Sequence, residues 1–307
     1  MLKSFYNFVR YAIAFLSFLF LAYLLWIKGF SLCAGVAPLS LPGNLVCFLL
    51  VLLFLPVNWL LEAMRWRFLL AKVQKLSLKD AFMSVLMGLT TAIMTPAQLG
   101  EFAGRLFLVN SSCRKMASLL WTFGGLMMTV ALLTLGLPSV IYYVNCWLPL
   151  SLFLNGIWNY AILIGMGFLI VFVLMLIFAR CNKLMFLKVK RLFFSFSLED
   201  VLKLFLLSLL RCFVFSGQLV LMLKFYGMTE SWLDMFVCVC VSYLIITFVP
   251  SFFFSDAVVR SSVAAMVFSP FVDSSLIVVS ASVSLWIVNV AIPTLVGIAL
   301  LFCFKRR

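Results

Sequence analysis

Two carboxylate–arginine pairs stand where an apolar chain has least reason to carry charge. Glu101 and Arg105, and likewise Asp256 and Arg260, are four residues apart, a spacing that puts both side chains of a pair on one helical face. Each pair lies in an apolar region, and a charge inside a membrane costs about 2.5–3.5 kcal/mol on insertion scales. Two uses would justify that cost. Either each arginine neutralises its own carboxylate as a structural ion pair, or the arginines contact an anionic group while the carboxylates hold them in place. Arginine suits a phosphate because its planar fork can make two parallel hydrogen bonds. Upstream of the first pair, Thr95-Pro96-Ala97-Gln98 has the pattern of a helix start. Thr95 would be the N-cap, Pro96 the first helical residue and Gln98 the closing member of a capping box. Free N–H groups and the positive end of the helix dipole would favour an anion there, such as a lipid phosphate. Gly100 and Gly104 would let another backbone approach closely. Ser251 could cap the second helix similarly, although no glycine follows it. Re-entrant packing without a ligand is the competing reading of both sites. Arg211 lies in the middle of a further apolar stretch, with Gln218 two turns later, and either lines a site or meets a neighbouring helix.

Other chemistries are excluded or find no support. The chain has no histidine, which removes Ser-His-Asp and Cys-His catalysis and any His-ligated metal. Its nine cysteines are scattered through apolar segments without a Cys-x-x-Cys pair, so they read as buried, reduced thiols. No Gly-x-x-x-x-Gly-Lys-Ser/Thr loop is present to hold ATP. No cofactor or metal is expected, and an enzyme is not the expected class.

The elements that must position these residues are membrane spans. Of the 307 residues 66% are hydrophobic and 10% charged, against about half and a quarter in a soluble domain; mean hydropathy is +1.24. Apolar runs long enough to span cover Tyr11–Ile27, Gly43–Leu61, Met116–Ile141, Ile157–Ala179, Val201–Phe225 and Ser275–Phe304. Lys3 and Arg10 precede the first, which reads as an uncleaved span. The alternating ten-residue segments of a β-barrel do not appear. Alternating six spans from a cytoplasmic N-terminus leaves 18 basic residues on the cytoplasmic side and only Lys28 and Lys224 outside, a positive-inside pattern. The net charge of +14 thus records orientation and does not call for nucleic acid. Glu62, Arg65, Trp66 and Arg67 close the second span and read as an interfacial anchor at the cytoplasmic surface. The basic residues of 180–191 could attract anionic lipid, though orientation alone accounts for them.

Asp80–Val109 and Trp232–Phe268 are interrupted near the middle by proline and polar residues, and the charge pattern requires each to enter and leave on one face. Asp80 to Met94 is about 22 Å of helix, short of the roughly 30 Å hydrocarbon core. Each region is therefore expected to be a re-entrant hairpin, packed in protein or lining a wet cavity. The two hairpins also match. SLKDAF (Ser77–Phe82) is followed by TPAQLGEFAGR (Thr95–Arg105), and SWLDMF (Ser231–Phe236) by VPSFFFSDAVVR (Val249–Arg260), with 16 residues from aspartate to proline in each. The charge pattern puts Asp80 inside and Asp234 outside, so the repeats, at about 43–141 and 201–304, would be inverted. Inverted repeats with broken helices are a recurrent transporter design.

NWLLEAMRWRFLL (Asn58–Leu70), TPAQLGEFAGR, SGQLVLMLKFYG (Ser216–Gly227) and VPSFFFSDAVVR resemble, in order, the lysylphosphatidylglycerol synthase transmembrane region family, also described as flippase-like. The resemblance runs from about Asn58 to Phe268 and is anchored by Pro-x-x-x-Gly-Glu-x-x-x-Arg at Pro96–Arg105. It implies an integral inner-membrane protein linked to moving modified phospholipids or glycolipids between leaflets. In the bifunctional relatives a soluble aminoacyltransferase domain follows the membrane region. Here Arg307 comes directly after the last span, so synthase activity is not expected. Phe252, Phe253 and Phe254 stand where a more glycine-rich turn belongs, which leaves the role of Asp256 and Arg260 open.

The expectation is an all-α polytopic membrane domain over 1–307, with about six spans and two re-entrant hairpins, both termini cytoplasmic. An anionic phospholipid or glycolipid would bind at Thr95, Pro96, Gly100, Glu101, Arg105, Ser251, Asp256, Arg260 and Arg211. The alternative is a non-catalytic membrane partner of a lipid- or glycan-modifying enzyme.

Overall fold

A computed structural model describes residues 45–92, 100–147, 196–249, 253–272 and 275–303. Their order is α1 (Leu45–Leu70), α2 (Leu78–Ala92), α3 (Gly100–Arg105), α4 (Arg114–Trp147), α5 (Leu198–Phe225), α6 (Trp232–Phe248), α7 (Phe253–Val267), α8 (Leu276–Trp286), a π-helical turn (Ile287–Ala291) and α9 (Ile292–Cys303). No strand occurs among the described residues. Four helical stretches are long and apolar enough to cross a membrane: Leu45–Leu70, Ser111–Trp147, Leu198–Phe225 and Leu276–Leu300. They mark a membrane protein. The expected spans Tyr11–Ile27 and Ile157–Ala179 lie outside the described residues.

α1 is longer than its apolar run, since Glu62 to Arg67 continue the helix instead of ending it. These are mostly good helix formers, Glu62 and Arg65 pair at i,i+3, and apolar Phe68–Leu70 follow. Glu62, Arg65 and Trp66 are buried and only Arg67 is exposed. The interfacial-anchor expectation is thereby corrected for three of the four residues.

α2 and α6, with 15 and 17 residues, are each too short to cross, at about 22 and 26 Å of helix. Both start with the same chemistry. Asp80 N–H donates to Ser77 Oγ (3.1 Å) while Ser77 Oγ donates to the Asp80 carboxylate (2.7 Å), and Ser231 and Asp234 repeat this at the same distances. Ser197 and Asp200 cap α5 with a full capping box. Part of the match between the hairpins is therefore a helix-start device that a third helix shares.

α2 is held among α1, α3 and α9, while α6 packs on α4, α5 and α7. Glycines bring α2 close to its neighbours. A Cβ on Gly104 would collide with the Met87 carbonyl, Thr91 Oγ1 and Gly88 Cα, and one on Gly297 with the Leu86 carbonyl and Thr90 Oγ1. Thr91 Oγ1 donates to the Gly100 carbonyl at 2.5 Å, closing the hairpin. The π turn also has a local cause. Pro293 has no N–H to give the Asn289 carbonyl, and the Ile292 N–H reaches back five residues to Ile287.

Two apolar cores lie at opposite ends of α1 and α5. Cys47, Val51 and Leu55 of α1 join Leu219–Leu223 of α5 in one core. Ala63, Trp66, Leu69 and Leu70 join Leu204, Val85 and Leu120 in the other. Between the cores α1 carries Asn58 and Glu62, and α5 carries Ser208 and Arg211. Arg211 is near the midpoint of its 28-residue helix, about 20 Å from either end. Of the described cysteines, Cys47, Cys212, Cys238 and Cys240 are buried free thiols, Cys113 is half-buried and Cys146 is exposed.

Candidate functional site

The polar band between the cores opens into a cavity of about 590 Å³, well within the range that small ligands occupy. Its charge is organised around Glu62. One carboxylate oxygen accepts from Arg105 Nη2 at 2.7 Å. The other accepts from Arg65 Nη1 and forms an ion pair with Arg211 Nη1 at 2.8 Å. Arg65 Nη2 continues to the Gly124 carbonyl at 2.7 Å, fixing α4 to the cluster. Arg211 Nε donates to Asn58 Oδ1 at 3.1 Å. Arg105 also bonds Glu101, its partner one turn back, and its guanidinium lies 5.6 Å from the Trp66 ring centre. One acidic side chain on α1 thus holds arginines from α1, α3 and α5.

Asp256 and Arg260 line the same cavity. Arg260 Nε donates to Asp256 Oδ2 at 2.8 Å, and Trp286 Nε1 donates to that oxygen at 3.1 Å. Four arginines (65, 105, 211 and 260) and three carboxylates (62, 101 and 256) line the space, an excess of one positive charge.

The arginines divide by exposure. The side chains of Arg65 and Arg105 are 4% and 3% exposed, sandwiched between carboxylates and packed helices. Those of Arg211 and Arg260 are 26% and 33% exposed, each with one guanidinium edge tied to a carboxylate. The first two are buried parts of the framework; the second two keep part of the side chain exposed where they line the cavity. The structure thus holds an ion cluster, with Arg211 and Arg260 as its more exposed members.

Of the expected site residues, Glu101, Arg105, Arg211, Asp256 and Arg260 come together around one cavity. Gly100 does not line it and is buried against α2, where its carbonyl serves the hairpin. Thr95, Pro96 and Ser251 lie outside the described residues, so the two helix-start readings fall there too. Glu62, Arg65 and Asn58 line the same cavity but were not among the expected site residues. Their signal was present: positions 58, 62 and 65 fall on one helical face inside an apolar stretch that resumes after them, and an ionisable residue so placed is a site by default. Asn289, the one amide side chain in the apolar run 275–304 and one turn after Trp286, carried a weaker signal of the same kind. Neither a scan against protein-family models nor a search of curated proteins finds a match for this chain.

Proposed function

We propose that this chain is a flippase-like integral protein of the inner membrane, with cytoplasmic termini, that assists an anionic phospholipid or glycolipid head group across the bilayer. One observation carries this reading: a cavity between the crossing helices, net positive, into which Arg211 and Arg260 present accessible guanidinium groups. A phosphate there gains charge-assisted hydrogen bonds that lipid tails do not offer. The carboxylates hold the arginines in place and keep the cavity from carrying four uncompensated positive charges. The resemblance to the lysylphosphatidylglycerol synthase transmembrane region points to the same activity.

An inverted-repeat origin is part of the proposal, and helix packing supports it. Exchanging α1 with α5, α2 with α6, α3 with α7 and α4 with α8–α9 maps several observed neighbours onto observed neighbours, although the α7–α8 contact has no equally extensive counterpart between α3 and α4. α2 on α9 becomes α6 on α4, α1 on α4 becomes α5 on α8, and the α1–α5 contact maps onto itself. In a background without other cysteines, Ser231→Cys on intact cells should react with an impermeant thiol reagent while Ser77→Cys should not. Labelling of both positions or of neither breaks the two-fold relation.

The function is tested in liposomes containing the purified chain and labelled anionic phospholipids. Head-group redistribution should exceed the protein-free rate. Arg211→Gln and Arg260→Gln should each slow it about tenfold or more, the scale of one lost charge-assisted hydrogen bond. Redistribution at the protein-free rate for every lipid would end the transport reading and leave the non-transporting partner of a lipid- or glycan-modifying enzyme.

A further inference from the structure

One wall of the cavity differs in chemistry from the arginine cluster. Ser282, Leu285, Trp286, Asn289 and Val290 line it, the i, i+3, i+4, i+7, i+8 spacing of a single helical face running from α8 into the π turn. Two polar atoms on this face, Ser282 Oγ and Asn289 Oδ1, are buried and have no hydrogen-bond partner among the described residues. Ser282 itself is 6% exposed.

The surroundings of Asn289 decide which of its atoms is left over. Gln218 is fully buried, and its Nε2 donates to the Val51 carbonyl at 3.1 Å. Its Oε1 is thereby turned toward Asn289 and accepts from Asn289 Nδ2 at 3.0 Å. The amide nitrogen of Asn289 is engaged, and the unsatisfied atom is an acceptor. Buried acceptors without donors are rare in native structures and call for an explanation. A donor arriving with a ligand would supply one. π-helical turns recur at functional positions, and this one carries Asn289.

The cavity is therefore lined by the donors of its arginines on one side and by a face of α8 that carries unpaired hydroxyl and amide oxygens on another. We propose that Asn289, with Ser282, forms a hydroxyl-recognising subsite that selects anionic lipids whose phosphate bears a polyol or sugar. This rests on the head-group reading above and names the class of head group. The arginines take the phosphate and Asn289 Oδ1 takes a hydroxyl proton. A head group of equal charge without a hydroxyl leaves that oxygen unsatisfied, and a site built to bond a hydroxyl discriminates against such an analogue.

The test compares short-chain phosphatidylglycerol with phosphatidylpropanol, which has the same phosphodiester and three-carbon head group but no hydroxyl. Dissociation constants are measured by titration calorimetry on the purified full chain in detergent. Wild type should bind phosphatidylglycerol about tenfold tighter, the scale of one or two hydrogen bonds. Asn289→Leu should bind the two lipids alike, and Ser282→Ala should narrow the gap. Arg211→Gln should weaken both lipids by the same factor. Equal wild-type binding of the two lipids overturns the subsite and leaves the head-group reading standing, a result that needs no variant to fold. Binding of neither overturns both. If soluble glycerol 1-phosphate is preferred to propyl phosphate, and that preference is lost in Asn289→Leu, the subsite stands and its assignment to a lipid falls.

Discussion

Replacing Glu62 with alanine is expected to destabilise the protein by about 3–5 kcal/mol, the cost of removing one partner from a buried ion pair. The cause is the sharing of one carboxylate. Without it, Arg65 keeps a carbonyl partner and Arg105 keeps Glu101, but both guanidinium groups stay buried with less negative charge nearby. Thermal denaturation of the detergent-purified protein should show a midpoint lower by on the order of 10 °C. Glu62→Met combined with Arg65→Met should recover more than half of that loss. The double change removes the deepest unpaired charge along with its carboxylate, leaving Arg105 to Glu101 and the half-exposed Arg211 to Asn58 and water. A midpoint for Glu62→Ala within a degree or two of wild type would mean the cluster does not hold the helices together.

Gly104→Val is expected to cost roughly 3 kcal/mol or more, at the upper end for overpacking. The first added carbon meets the Met87 carbonyl oxygen and Gly88 Cα, which belong to the backbone of α2 and cannot swing aside. α3 would have to lift off α2, and Arg105, the next residue, would move away from Glu62. Thermal stability should therefore fall, together with the head-group redistribution that the proposed function predicts in liposomes. Gly217→Ala is the informative comparison. A Cβ there meets nothing within 4 Å, so the change should stabilise α5 by up to about 1 kcal/mol through helix propensity alone. If Gly104→Val matched Gly217→Ala in both readouts, the close approach of α3 to α2 would carry no weight.

Much of the site was legible in the sequence because its signals are local. An i,i+4 carboxylate–arginine pair is visible wherever it occurs, and both pairs form as read. Arg211 was visible as a charge in mid-span, though not its partners. Glu62 and Arg65 were misread for a specific reason. A cluster of charges after about 19 apolar residues has the same local pattern whether the helix stops at the head groups or continues into a buried cluster. Only the continuation through Leu70 and its packing on α2 and α5 separates the two cases.

The sequence by itself determined that the chain is helical and apolar, that two stretches are too short to cross, and where charge sits within them. Hydropathy, helix length and capping are set within one or two turns, so these features follow from neighbouring residues. Tertiary structure alone decided that Glu62 is shared by three arginines, that the two charged pairs face one cavity, and that Asn289 ends with an open acceptor. Each of those facts joins residues far apart in the chain, as Asn58 and Arg211 are, 153 positions apart. Such pairings arise because two apolar cores clamp α1 against α5 above and below a polar band. Deep inside that band the charges of Arg65 and Arg105 are shielded from water, and so they take whichever partners the packed helices bring within reach.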